Sequence, residues 1–124
     1  MMYLDTHAVV WLYESKVERF TQKAQQLLEK HELFISPMVE LELAYLHEIK
    51  RLTVKPNMIL DELQKSIYLA VSEHSLASII KNATKLCWTR DPFDRVIVAE
   101  ALLDDALLLT KDHAILKHYS QAVW

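Results

Sequence analysis

The chain has 124 residues, 52% of them hydrophobic and 25% charged, with a formal net charge of −3. That balance excludes a disordered or fibrous chain and sets the expectation of a single domain, 1–124, with one core. One cysteine, Cys87, excludes an internal disulfide, and the complete absence of glycine excludes both the glycine-rich P-loop and the dinucleotide-binding fingerprint.

In chain order, Met2 to Leu4 is a short apolar run ending at Asp5, and Thr6 to Glu14 reads as a largely apolar helix. Thr21 to Lys30 is a second helix, capped by Thr21, with Ala24, Leu27 and Leu28 as its apolar stripe. Leu33 to Ile35 is a second strand. Ser36-Pro37 pairs an N-cap residue with proline at the first helical position and opens a helix to about Leu52, and Pro56 opens another. Ile67 to Val71 is a third strand, followed by a helix from Ser75 to Leu86 and a loop through Trp88 to Arg90. Asp91-Pro92 starts the next helix, Leu107 to Thr110 is an apolar strand ending in a polar residue, Asp112 caps a last helix, and Ala122 to Trp124 forms a final short strand. Without glycine, left-handed turns are expected at residues such as Asn57 and Asn82.

Short apolar strands alternating with helices predict a three-layer α/β/α sandwich around a central, mostly parallel sheet, because parallel strands need crossovers that cover both sheet faces. No window approaches the ~20 apolar residues of a membrane span, and the N-terminus lacks a basic leader. A cytoplasmic protein without a membrane partner is expected. The negative net charge argues against phosphate binding by overall charge and leaves a local basic rim as the route to nucleic acid.

In open α/β sheets ligands collect at the carboxyl ends of strands, where Asp5 and Asp112 fall. Each is also a good helix N-cap, and Asp91-Pro92-Phe93-Asp94 reads fully as a cap, a first-turn proline and an acid facing the positive helix end. Glu42 is different. Helical phase puts Met38, Leu41, Tyr45, Ile49 and Leu52 on one buried arc with Glu42 inside it, whereas Glu40 lies opposite with His47 and Arg51. A carboxylate on a buried stripe requires a partner: a basic side chain, a proton or a cation. Clustered oxygen ligands suit the hard ions Mg2+ and Mn2+, and such ions bind substrate phosphate.

The blocks Leu4-Asp5-Thr6-His7-Ala8-Val9-Val10-Trp11, Ser36 to Glu42, Arg90-Asp91-Pro92-Phe93-Asp94-Arg95, Leu109-Thr110-Lys111-Asp112 and the terminal Val123-Trp124 occur in order across almost the whole chain. Together they resemble the PIN domain in its VapC-type toxin branch. The resemblance implies a parallel sheet with an acidic site at the strand ends, made by Asp5, Glu42, Asp94 and Asp112 as catalytic and metal-holding residues. It also implies an endoribonuclease that uses Mg2+ or Mn2+, an RNA substrate cut to a 5′-phosphate and a 3′-hydroxyl, a cognate antitoxin and a homodimer. Thr6 and Thr110 would orient water or a ligand carboxylate, Arg95 or Lys111 would meet the RNA backbone, and Asp91 would be a cap or an outer neighbour. His7 is expected to be a local hydrogen-bonding group, and Trp11, Tyr13 and Trp88 to serve mainly the core. Cys87-Trp88-Thr89 departs from the branch in lacking a histidine before Arg90.

Two other classes stand beside this reading. A phosphorylation-dependent receiver domain has similar length and winding, but needs paired acids after the first strand and an aspartate after a middle one, where this chain has Asp5 alone and Ser72. A PIN-like binding module without catalysis would keep the same acids as caps or anchors for a partner.

Overall fold

The computed structural model describes residues 1–124. Its centre is a five-stranded sheet made of β1 (Met2–Leu4), β2 (Leu33–Ile35), β3 (Ala70–Val71), β4 (Leu107–Leu109) and β5 (Ala122–Val123), in the order β3-β2-β1-β4-β5 with every pair parallel. Seven helices connect and cover it: α1 (Thr6–Tyr13), α2 (Gln22–Lys30), α3 (Pro37–Glu48), α4 (Pro56–Ile67), α5 (Leu76–Ala83), α6 (Pro92–Leu103) and α7 (His113–His118), with a 3-10 turn at Val17–Arg19. The predicted α/β/α architecture is the one observed.

Successive residues of a strand point to opposite faces, yet Met2, Tyr3 and Leu4 are all fully buried. Both faces of the sheet are therefore covered, and this is why its strands read as unbroken apolar runs. Val96 to Ala101 of α6 are likewise all buried, so α6 is an interior helix. A second, smaller apolar cluster of Ile79, Ala83, Val96 and Ala99 joins α5 to α6.

Helix starts follow the local chemistry. Side chains of Asp5, Thr21, Ser36, Ser75, Asp91 and Asp112 each accept a hydrogen bond from a first-turn N–H, which satisfies donors the helix itself cannot pair. Helix ends differ from expectation. Left-handed backbone occurs at Ser15, Lys50, Tyr68 and Asp105, each closing a helix, and at neither Asn57 nor Asn82. Asn57 lies in the first turn of α4 and Asn82 in the last turn of α5, where helical hydrogen bonding sets the backbone.

The third strand is shorter than expected. Ile67 is the last residue of α4 and Tyr68 its left-handed cap, leaving only Ala70–Val71 to pair with β2 at the sheet edge. α5 covers Leu76–Ala83 within the expected Ser75 to Leu86. α3 ends at Glu48, and its buried residues are Val39 and Leu43. The expected inward arc is largely open, with Leu41 57% and Tyr45 47% exposed. An apolar stripe identifies an amphipathic helix but does not say which of two apolar stripes meets the core; here the one flanking Glu42 on its other side does.

Candidate active site

The strand order reverses beside β1. The chain moves outward from β1 to β2 and β3, then crosses back to β4 and β5. A crevice forms outside the carboxyl ends of strands at such a switch point. Asp5 directly follows β1 and its N–H donates to Leu109 O at 3.0 Å; Thr110, Lys111 and Asp112 directly follow β4. α3 adds Glu42, and the amino end of α6 adds Asp91 and Asp94.

These elements enclose a cavity of about 310 Å³ lined by Asp5, His7, Trp11, Glu42, Asp91, Asp94, Lys111 and Asp112. All four predicted acids and the fifth, Asp91, meet there. Capping and convergence on the cavity coexist, because a helix amino end gathers acids and the switch point collects helix amino ends.

Two threonines hold the deepest acids. The Asp5 carboxylate accepts the Thr6 N–H at 2.6 Å on one oxygen and the Thr110 hydroxyl at 2.5 Å on the other. The Thr6 hydroxyl donates to Glu42 Oε1, tying α1 to α3. Thr110 Oγ1 also accepts the Asp112 N–H at 3.0 Å, and Asp112 Oδ1 accepts the Ile115 N–H at 3.0 Å. Thr6 and Thr110 are fully buried, so their place is beneath the acids. Asp91 Oδ1 accepts from the N–H groups of Phe93 at 2.9 Å and Asp94 at 3.4 Å. Arg95 points elsewhere: its Nε donates to Leu86 O at 3.0 Å.

Acids outnumber bases in the cavity, five carboxylates beside one lysine and one histidine. Burial pushes the Asp94 carboxyl up to about 7, helped by the negative charges of Asp91, Asp5, Asp112 and Glu42. Burial also raises Asp5 against the lowering effect of its bonds from Thr110 and Thr6, and raises Glu42 against its bond from Thr6. The structure contains two ion pairs, Lys16–Glu14 at 3.4 Å and His74–Asp104 at 2.9 Å, and neither reaches the cavity.

Residues 2–120 match the PIN domain family. The chain belongs to the PIN domain family. PIN domains are nucleases and generally use divalent metal ions. A comparison with curated proteins gives no match. Among solved structures, this PIN domain is similar to a chain of VapBC2 from Rickettsia felis bound to a DNA fragment from their promoter. The TM-score is 0.69 at 20% identity, over 100% of this chain and 98% of that one. It is also similar to a chain of a toxin-antitoxin complex from Klebsiella pneumoniae, with TM-score 0.68 and 16% identity over 100% and 97% of the two chains. A chain of FitAB bound to an IR36 DNA fragment gives TM-score 0.56 and 18% identity over 100% and 94%. At these identities the likeness is one of fold.

The donor set of the PIN domain fits a hard divalent ion in its chemistry: five carboxylates, no thiol, and repulsion that a cation would relieve. As the side chains stand, no three acidic, histidine or cysteine groups converge at ion-ligating distance. Two residues of the cavity were not anticipated there. His7 and Trp11 follow Asp5 by two and six positions on α1, and their ring centroids lie 5.9 Å apart. Only the rotation of α1 against β4 could reveal that this face looks into the cavity. Tyr13 and Trp88 are not part of it; Trp88 stacks on His118 at 5.0 Å.

Proposed function

We propose that the protein is a metal-dependent endoribonuclease that acts as the VapC-like toxin of a type II toxin-antitoxin pair. Asp5, Glu42, Asp94 and Asp112 hold Mg2+ or Mn2+, and Asp91 caps α6 beside them. The observation that carries this reading is five carboxylates around one cavity at the sheet's switch point with no basic side chain paired to any of them. Family membership supports nuclease chemistry, and the fold likeness to chains of VapBC2 and of another toxin-antitoxin complex supports a cognate antitoxin as partner.

A bound divalent ion would supply Lewis acidity and an acidified water for phosphodiester hydrolysis. The chain's own residues prepare for it. Thr110 and Thr6 hydrogen-bond Asp5 and Glu42 and so orient the two acids. Asp94 and Asp112 approach from helix amino ends, whose N–H groups restrain their backbone. Lys111, at the cavity wall, is placed to meet a phosphate.

No helix is long and apolar enough to cross a membrane. A cytoplasmic place agrees with the single, exposed thiol of Cys87. The homodimer has an apolar surface available to it: Leu41 of α3 and Leu76 of α5, 57% and 68% exposed, border one groove. Sedimentation of wild type against Leu41→Asp reads this directly, and an unchanged monomer in both would remove the homodimer.

The deciding experiment is cleavage of a mixed tRNA and rRNA pool with Mn2+ or Mg2+, with and without EDTA, by wild type, Asp5→Asn and Glu42→Gln. Cleavage by untreated wild type alone is expected, with fragments that define the substrate. Asp5→Asn cutting as fast as wild type would overturn the site, and wild type that neither cuts RNA nor takes up Mn2+ by calorimetry would make it an inert PIN-type binding module.

A further inference from the structure

Three side chains that can carry positive charge, His7, Arg19 and Lys111, surround one indole at the edge of the five-acid cavity. Arg19 Cζ lies 5.2 Å and Lys111 Nζ 5.9 Å from the Trp11 ring centre, and the His7 ring lies 5.9 Å from it. Both Lys111 and Trp11 line the cavity with the carboxylates. Neither Arg19 nor Lys111 is ion-paired to any acid. Of the two, Lys111 lines the cavity with the carboxylates, and it stands over the indole and not against an acid.

The indole offers both cations a partner other than a carboxylate. A cation over the face of a tryptophan is attracted to the ring's negative face, which holds it without neutralising it. The ring itself is braced by other aromatics: Trp124 packs edge-on at 5.5 Å and Phe20 at 6.3 Å, and Phe20 is buried. Trp124 in turn sits against Phe20 at 5.0 Å. Trp11 is thus locked between the cavity and an aromatic wall that reaches from α1 to the last residue of the chain.

We propose that Trp11 is a positioning residue for the nucleic-acid backbone: its indole keeps Lys111 and Arg19 off the acid cluster and presents them as an unpaired pair that grips phosphates of a single strand entering the cavity. This deepens the nuclease reading and rests on it. The same arrangement explains how an acidic protein meets an acidic polymer. The carboxylates stay free for a cation, and the phosphates are met by two charges placed beside them and not by the net charge of the chain.

The test is binding of a fluorescein-labelled single-stranded oligoribonucleotide in EDTA, followed by anisotropy across a salt series, with cleavage measured in parallel with Mn2+. Each cation that contacts a phosphate contributes about 0.7 to the slope of log affinity against log salt on a single strand. Arg19→Ala/Lys111→Ala is expected to flatten the slope by about 1.4 and to raise KM with little change in kcat. Trp11→Leu is expected to reproduce most of that flattening, and adding it to the double variant to change little further. Trp11→Phe, which keeps a ring face, is expected to retain most of the slope. Because the two cations are surface groups, the double variant carries the test even if Trp11→Leu folds poorly. A double variant with the wild-type slope, in a protein that still cuts RNA, overturns the Trp11 assignment and leaves the nuclease reading standing. A wild type that neither binds the strand nor cuts it overturns both.

Discussion

Asp112 illustrates how one residue serves two ends. Its carboxylate closes the first turn of α7 through the Ile115 N–H and also faces the cavity. Asparagine caps a helix nearly as well as aspartate but carries no charge. Asp112→Asn is therefore expected to melt with wild type while losing RNA cleavage, and Asp112→Ala to lose both activity and about 1 kcal/mol of stability. Denaturant melts beside a cleavage assay separate the two roles; full activity in Asp112→Asn would reduce it to a cap. Glu100 is the opposite case, a carboxyl group with no partner in sight. It is fully buried among the apolar residues of α6, and neither carboxylate oxygen is hydrogen-bonded. A buried unsatisfied group of this kind costs about 1–3 kcal/mol. Glu100→Met, similar in volume, is expected to raise the unfolding free energy by about that amount in urea titration, and a fall would mean that Glu100 is engaged by a partner.

Among the elements, the helix ends bear the cost of a chain without glycine. Left-handed backbone at a residue with a Cβ costs about 1–2 kcal/mol, and four helices end that way. Lys50, exposed at φ 63 after α3, is the cleanest site to test. Lys50→Gly is expected to stabilise the protein by about 1 kcal/mol, read as a shift in the urea midpoint at constant slope. No shift would mean that the Lys50 side chain returns as much as the backbone loses. Helix starts were legible because Thr21, Ser36, Asp91 and Asp112 declare themselves by residue type and by the proline that follows two of them. Helix ends were not, since Ser15, Lys50, Tyr68 and Asp105 carry no signal of their own and are set by where the next element must begin. The third strand suffered for the same reason, with Ile67 claimed by α4.

For the molecule as a whole, the acid cluster couples stability to pH and to metal. Asp94 is pushed up to about 7 in the folded protein from an ordinary carboxyl value of 3.8, and Asp5 and Glu42 are raised as well. The folded state then binds more protons than the unfolded one between about pH 4 and 7, so stability falls as pH rises through that window. The contribution is present in full below the ordinary carboxyl range and lost above the folded value. In EDTA the protein is expected to melt higher at pH 5 than at pH 8 from this cluster. Mn2+, which competes with those protons, is expected to raise the melting temperature more at pH 8 than at pH 5. An Mn2+ shift equal at both values would show that Asp94 does not join the ion.

Read alone, the amino-acid sequence was enough for the element order, the parallel α/β/α class, and the acids Asp5, Asp94 and Asp112 at the starts of helices, because strand periodicity, caps and first-turn prolines are local properties written in neighbouring residues. Glu42 was reached with the wrong helical phase: α3 buries Val39 and Leu43 and leaves Leu41 and Tyr45 open, and Glu42 lies at the border of both stripes. Only the tertiary structure brought α1, α3, α6 and the end of β4 to one cavity, turned Arg95 away toward Leu86, and set Trp11 beneath Lys111 and Arg19. Those contacts join residues as far apart as Thr110 and Asp5, and their geometry depends on strand order and helix rotation, which arise from packing the whole chain around one sheet.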